Sequence, residues 1–549
     1  MVYYGSRVEL LDSVLSECLG EVYGGGVDVY QGGHLLATNS VRGVDRSNTR
    51  NPWRKHPFCT YLTTILCSPL AARQTIADCR AVTGNFGAAW VGKAGSQANF
   101  VDCRILRCTA KGSNGGISVA LGGSLEMIRS TIMGCSCKRY GGALYVYSGG
   151  RADLVDVLIA ECQVTGDQED GGGIYMQDGS LTMTGGAIRD CEALKGGSLG
   201  GGALTVKGAD AQVRLSGVTV QGCKAPLRIT AGSVRLVDVS IGGTAMIVGQ
   251  ELPALTLDTA AIMVDYASQL YGERVHVNDG GYSYANGIVI QTGTSTWTDC
   301  TFSDIKRYAI RLGGGTATFT RTTILRSGML RSGTGVSLTL GAVATMLGLR
   351  IADCGSCIDA AGQLYLRNAK LSNCSTQYIG FGTSAEGATT FQSELLTLEP
   401  SCEADEGAAL ISVAGAVTAP LKVRGLQVVA PEACASKNFS VFSDKVRPLN
   451  CSDGDVCGAA ATCTDVQPLP SAPTLTTVNC SCQGEFFPNP DGTSLALAPY
   501  GFDPSTIGLP DGLDPTTIGL PGATVDYCVR SATRLEPAHE YLAGRPFPS

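Results

Sequence analysis

The residues whose chemistry must be decided first are the 23 cysteines, because their spacing is not random. One set recurs along the chain as Cys108, Cys135, Cys162, Cys191 and Cys223, in steps of 27, 27, 29 and 32 residues. A second series runs through Cys300, Cys354, Cys374, Cys402 and Cys434, with Ser327 in the cysteine's place between 300 and 354. The remaining group is dense: Cys451, Cys457, Cys463, Cys480, Cys482 and Cys528, spaced C-x5-C-x5-C-x16-C-x-C before the last. Thiols can bridge, ligate a metal or pack. For the recurring set the packed, reduced state is favoured, since buried free cysteine behaves as a small hydrophobe. Bridging neighbours stacked in register is disfavoured, because their β-carbons stand about 4.8 Å apart, beyond the usual range of roughly 3.5–4.5 Å. Bridged pairs, and metal or redox chemistry, are the alternatives. Cys103, Cys137 and Cys357 stand off the series and could form local bridges. In the dense group no histidine is present and C-x-C is poor spacing for a structural zinc site, so disulfides are expected.

Other reactive constellations are sparse. The four histidines, His34, His56, His276 and His539, are isolated from one another. The densest acidic stretch, Asp167, Glu169 and Asp170, follows a glycine and reads as a solvated turn before it reads as a cation site. Paired glycines at Gly141-Gly142, Gly172-Gly173 and Gly201-Gly202 could suggest a phosphate cradle. That chemistry needs a helix to follow, and an alternating strand pattern follows each time. The glycines are therefore expected at sharp corners, where positive φ has no steric cost.

The elements that must position these residues repeat. GGISVALGGSLEMIRSTIMGC (115–135), GGALYVYSGGRADLVDVLIAEC (141–162), GGGIYMQDGSLTMTGGAIRDC (171–191) and GGGALTVKGADAQVRLSGVTVQGC (200–223) share one phrase, and 9–30 fits the same template. A period of 20 to 50 residues is the signature of a solenoid. Each unit carries three short period-2 alternations, exemplified by Ile117-x-Val119, Leu125-x-Met127 and Val218-x-Val220, which predict strands with one face buried. No helical pattern long enough for a βαβ crossover intervenes. Three strands per coil, each paired with its equivalent in the next coil, predict an all-β parallel β-helix of roughly 15 coils over residues 1–445, with an insertion at 40–70. In that arrangement the first strand presents Ser118, Tyr145, Tyr175, Thr205, Val289, Arg311, Ser337, Asp359 and Ser412 outward. That row holds one acid, one base and no catalytic cluster.

Composition narrows the classes. Charged residues are 16%, aromatics 6%, glycine 72 residues and the net charge −7. High glycine disfavours helices and low charge disfavours disorder. With no basic block, a nucleic-acid partner is not expected. The chain opens without a basic-then-apolar leader and has no apolar run long enough to span a bilayer. Because it starts inside a strand-like phrase, we expect a fragment of a longer protein, with any membrane attachment in parts outside this sequence.

Two resemblances follow. Gly141-Gly142-Ala143-Leu144 and Gly201-Gly202-Ala203-Leu204 resemble the GGA-aliphatic repeats of polymorphic outer membrane proteins, within the right-handed, pectin-lyase-like β-helix class. The companion Phe-x-x-Asn motif survives only as Phe100-x-x-Cys103 and Phe302-x-x-Ile305, and that family's C-terminal barrel is missing. The dense cysteines, with Gly484 before Phe486 and Phe487, resemble an EGF-like module at 450–530, followed by a tail at 531–549. That resemblance implies the pairing Cys451–Cys463, Cys457–Cys480 and Cys482–Cys528. The last loop is far too long for the family and holds the tandem GFDPSTIGLP and GLDPTTIGLP. Six cysteines in so small a module imply an oxidising compartment, where Asn373, Asn438, Asn450 and Asn479 are candidate glycosylation sites.

The reading that results is a non-enzymatic extracellular or cell-surface recognition and adhesion ectodomain. It would bind carbohydrate or protein ligands and need no cofactor or metal. A polysaccharide-active lyase or hydrolase, and a structural segment of a larger membrane protein, are the alternatives.

Overall fold

The computed structural model describes residues 6–400, except 12–13, 17, 21–26, 39–73, 82–84, 167–170, 194–200, 244–259, 267, 279–285, 329–332 and 382–389. Beyond residue 400 it describes the strands 409–413, 421–424, 427–428, 440–442, 461–466, 477–482, 486–488 and 528–530. The chain forms two compact units, one of residues 1–404 and 417–435 and the other of residues 405–416 and 436–549.

In the first unit every strand pairs with its equivalent one coil away, always in parallel. A representative coil runs through Ile117–Ala120, Ser124–Ile128, Thr131–Met133 and Ser136–Cys137. The next runs through Leu144–Tyr147, Arg151–Val155, Leu158–Ala160 and Gln163–Val164. Ile117 pairs with Leu144, Leu125 with Ala152, Ile132 with Ile159 and Ser136 with Gln163. This is a parallel β-helix. The first strands form one sheet from Val27–Tyr30 through Gln377–Phe381, and the second and third strands together form a 28-stranded sheet. Alternation explains the core: Leu125 and Met127 are fully buried while Glu126 between them is exposed. Burying each such aliphatic side chain contributes about 1.5–3 kcal/mol.

The coils differ from the three-strand expectation in one respect. Six of them add a fourth, two-residue strand just after the recurring cysteine, and these pair as a 6-stranded sheet. Its inward positions, Ala81, Ala110, Cys137, Val164 and Ala193, make a small apolar row of their own. The residues are too few for periodicity to reveal them. Among the described residues, later coils lack this strand. In Gln363–Ser372 and Thr390–Glu399 the second and third strands run as one ten-residue element. Residues 40–70 lie outside the described set. The flanking strands His34–Thr38 and Gln74–Ala77 nevertheless hold register, His34 with Arg7 and Gln97, Thr75 with Val14 and Arg104.

In the second unit Ala409–Val413 pairs in parallel with Ser440–Phe442. Ala461–Val466 and Thr477–Cys482 form an antiparallel hairpin with Cys463 opposite Cys480, and Phe486–Pro488 pairs with Cys528–Arg530. The side chains of this unit's six cysteines, and so the pairing Cys451–Cys463, Cys457–Cys480 and Cys482–Cys528, lie outside the described set, as do Cys402 and Cys434.

Candidate recognition surface

The structure sorts the singled-out residues into a buried column, two charged corners and an open face. The column holds the recurring thiols. Strand register places Cys18, Cys79, Cys108, Cys135, Cys162, Cys191 and Cys223 at one position of seven successive coils. All are buried. The amide immediately after the next coil's cysteine closes the ladder: Thr109 donates to the Cys79 carbonyl at 2.8 Å and Ser136 to that of Cys108 at 3.0 Å. The thiols donate to the carbonyl two residues back, Cys108 to Leu106 at 3.4 Å and Cys162 to Ala160 at 3.2 Å. A hydrogen bond that the protonated Cys79 thiol donates to Cys108, together with burial, pushes Cys79 up to about 12, and burial does the same at Cys354. Since the thiolate is the nucleophile, these two thiols are inert at neutral pH, whereas hydrogen bonds from the neighbouring thiols hold Cys135 and Cys191 below the ordinary value.

Two cysteines sit otherwise than the spacing suggests. Cys300 is off this column: it lies one corner earlier, at the position of Cys103, Ser130 and Val157. Ile305 occupies the column in that coil and Ser327 in the next. The five-residue offset is the length of one short strand and its corner, which counting along the chain does not detect. The same offset makes Phe100-x-x-Cys103 and Phe302-x-x-Ile305 non-equivalent. Cys374 is a column residue but not a free thiol. It is bonded to Cys357 of a first strand, with α-carbons 5.7 Å apart, because a bond across the coil escapes the rung-to-rung spacing that disfavours bridges within a column.

The glycine corners also differ in cause. Of the six named, only Gly141 has positive φ, at 64°. At Gly142 a Cβ would stand 2.3 Å from the Gly172 carbonyl oxygen, and at Gly202 2.2 Å from that of Lys224. Gly172, Gly173 and Gly201 are likewise crowded by backbone. At the five others close approach of backbone, from the next coil at Gly142 and Gly173 and from the same coil at Gly172 and Gly201, and not handedness, demands glycine.

Left-handed backbone falls instead on charged residues that the sequence reading missed. A left-handed polar residue stands immediately before most column positions: Asp78, Arg107, Glu161, Asp190, Asp304, Arg326, Asp353 and Asn373 have φ between 46° and 58°, while Gly134 and Gly222 take the place before Cys135 and Cys223. A second series, Asp102, Arg129, Asp156, Asp238, Arg274, Asp299 and Arg321, marks the corner between second and third strands. Successive coils pair these charges. The Arg107 guanidinium donates to both Asp78 oxygens at 2.8 Å, and Arg129 to Asp102 at 3.0 and 2.8 Å. Arg321 donates to Asp299 at 2.6 and 2.7 Å, and Arg326 to Asp304 at 2.7 and 2.8 Å. The Arg321 guanidinium holds the Asp299 carboxyl below its ordinary value. The readable signal was there: Asp, Arg, Glu or Asn directly precedes most column cysteines. Asn373, which donates to Asp353 at 2.6 Å, is exposed. Asn438 and Asn450, and the side chain of Asn479, lie outside the described set.

The first-strand row is not the open face. Register extends it to include Trp90, Arg228 and Met263 beside Ser118, Tyr145, Tyr175, Thr205 and Val289. Most of it is buried, Tyr175 being 2% exposed and Thr205 0%. Tyr140 folds over the row, its ring 4.6 Å from that of Tyr175 and 5.6 Å from that of Tyr145. The side chain of Ser412 and the acidic stretch 167–170 lie outside the described set.

The open face belongs to the second strands, whose outward central positions are zoned by chemistry. Glu126 and Asp153 neighbour each other, Arg214 and Arg235 do so farther along, and Thr296, Thr318 and Thr345 follow beyond Tyr271. Near the other end Arg7, His34, Leu36, Gln97 and Asn99 line a shallow cleft of about 230 Å³, with His34 Nδ1 3.1 Å from Gln97 Oε1. His276 is exposed on a third strand, and His56 and His539 lie outside the described set. Among the described residues no cluster of three or more metal-ligating side chains occurs, and no helix is long and apolar enough to cross a membrane.

No protein-family model matches the chain, and no curated protein matches it. Among solved structures, the crystal structure of PfbA, a surface adhesin of Streptococcus pneumoniae, is similar at 11% identity, over 70% of this chain and 92% of that one, with a TM-score of 0.31. A second structure of the same pneumococcal surface protein and adhesin is similar at 10% identity over 66% and 92%, with a TM-score of 0.26. At that level the likeness carries no residue-by-residue transfer, and the parallel β-helix rests on the strand register of the chain itself.

Proposed function

We propose that this chain is a non-enzymatic recognition and adhesion ectodomain, extracellular or at a cell surface, which binds carbohydrate or protein through the second-strand face of the β-helix. The observation that carries this reading is the division of side chains. Thiols and aromatic first-strand residues are buried for packing, whereas a broad face of Thr, Gln, Asn, Arg and Glu is left to solvent on successive coils. Solenoids build extended binding surfaces in this way. The cysteine-dense module at 450–530 fits an EGF-like spacer, and the GGA-aliphatic corners fit the repeats of polymorphic outer membrane proteins. Full-length protein made through an oxidising secretory route is expected to bind saturably on an array of glycans and proteins. Absence of any ligand on both would sink the reading.

One observation favours a polysaccharide-active enzyme instead: Glu126 and Asp153 stand on adjacent coils of the open face, where paired carboxylates can act on a glycosidic bond. Against it, Asp153 is held by Arg151 at 2.8 Å and the pair lies on an exposed surface that does not exclude water. Product release from a glycan panel, abolished by Glu126→Gln, would replace the first reading with this one.

A further inference from the structure

We propose that Arg214 and Arg235 form a binding site for an acidic polysaccharide lying across the coils of the second-strand face. The proposal rests on the recognition reading and names its ligand class. Strand register sets the two arginines directly opposite each other, one coil apart, which is about 4.8 Å between backbones. Like charges so placed repel, and sheets normally avoid them. Elsewhere this protein neutralises arginines across coils, as at Arg107–Asp78 and Arg321–Asp299. Here it does not. Arg214 is exposed and makes no ion pair or hydrogen bond among the described residues, while Arg235 reaches Glu273 only at 3.8 Å and lies 4.7 Å from the centroid of the Tyr271 ring. An anionic strand would offset this repulsion with charge-assisted hydrogen bonds.

The surroundings suit a glycan better than an acidic protein. Gln212 and Gln269 flank the arginines with exposed amides, and Thr182 and Thr296 supply hydroxyls at either side along the row. These groups match sugar hydroxyls. Protein interfaces usually centre on buried aromatic or aliphatic anchors, whereas the outward neighbours of the arginines on this row are polar apart from the Tyr271 ring. Glu126 and Asp153, coils away on the same row, would repel the polymer and so bound its footprint.

The test uses full-length protein with polygalacturonate, dextran sulfate and neutral dextran as probes, and poly-glutamate as the acidic-polypeptide control. Polygalacturonate or dextran sulfate is expected to bind, whichever does so identifying carboxylate or sulfate as the preferred anion, and salt is expected to weaken binding. Arg214→Ser with Arg235→Ser is expected to weaken it at least tenfold. Arg107→Asn, at an arginine already paired, is expected to change it less than twofold. Circular dichroism verifies that the variants fold. Binding to neither acidic glycan, equal binding to neutral dextran or poly-glutamate, no effect of the double variant, or an equal effect of Arg107→Asn overturns the proposal. If another ligand on the array is then held undiminished by the double variant, the recognition reading stands and only this assignment falls.

Discussion

Gly272 shows how much a single side chain can demand of its neighbour. It pairs with Trp297 of the next coil, and a Cβ on it would stand 2.3 Å from the indole. Trp297 is fully buried, stacked on Phe319 with centroids 6.2 Å apart, so the ring cannot retreat. Gly272→Ala is therefore expected to destabilise the protein by about 1–3 kcal/mol, the usual cost of overpacking, measured as a lower urea midpoint at unchanged slope. Asp28 poses a different problem. Burial pushes its carboxyl up to about 6, above the value of about 3.9 in an unfolded chain. The folded state thus holds the proton more tightly. The associated stability is complete below about pH 4 and is lost as pH rises through 6, by about 3 kcal/mol. Asp28→Asn is expected to raise the melting temperature at pH 7 and to flatten its dependence between pH 4 and 7. A variant that melts as the parent does at pH 7 would mean the carboxylate is solvated.

At the scale of the element, the corners and the column carry the argument. Arg321 has φ of 49°, in the left-handed region where a β-branched side chain is strained, while asparagine tolerates it. Its ion pair with Asp299 is exposed, and such pairs contribute little. Arg321→Val is accordingly expected to lose about 1–2 kcal/mol more than Arg321→Asn, read from paired denaturation curves. If the two are equal, the ion pair and not the backbone governs this corner. For the thiol column the expectation is kinetic. In native protein Cys79, Cys108, Cys135, Cys162 and Cys191 should resist iodoacetamide because all five are buried from the reagent, and all should label once guanidinium opens the coils. Peptide mass spectrometry distinguishes this outcome from native labelling, which would make the column reactive.

For the first unit as a whole, nearest-neighbour stacking predicts local consequences of core damage. Each coil touches only the coils beside it, so stability is close to a sum of coil and interface terms. Leu236 is fully buried between Leu215 and Gly272. Leu236→Ala, a loss of about 2–5 kcal/mol in a packed core, should lower amide protection most in Gln212–Ser216 and Gln269–Glu273 and least in Thr131–Met133. Uniform loss of protection across the unit would show that it unfolds as one cooperative body.

The sequence alone determined the all-β coil and its inward residues, such as Ile117, Val119, Leu125 and Met127, because period-2 alternation is a local property of the pleated chain. It also marked where the coil turns, since glycine pairs and thiols recur with the period. Only the tertiary structure decided which residues are neighbours between coils. Register there depends on the summed length of every corner, so one short strand moved Cys300 off the column, and a bond across a coil took Cys374. Burial followed the same logic: Tyr145 and Tyr175, outward by alternation, are covered by Tyr140, whereas Arg214 and Arg235 remain open. The left-handed Asp and Arg residues, and glycines such as Gly142 and Gly173, belong to this class as well, because they answer to charge or backbone from the next coil, some 20 to 36 residues away along the chain.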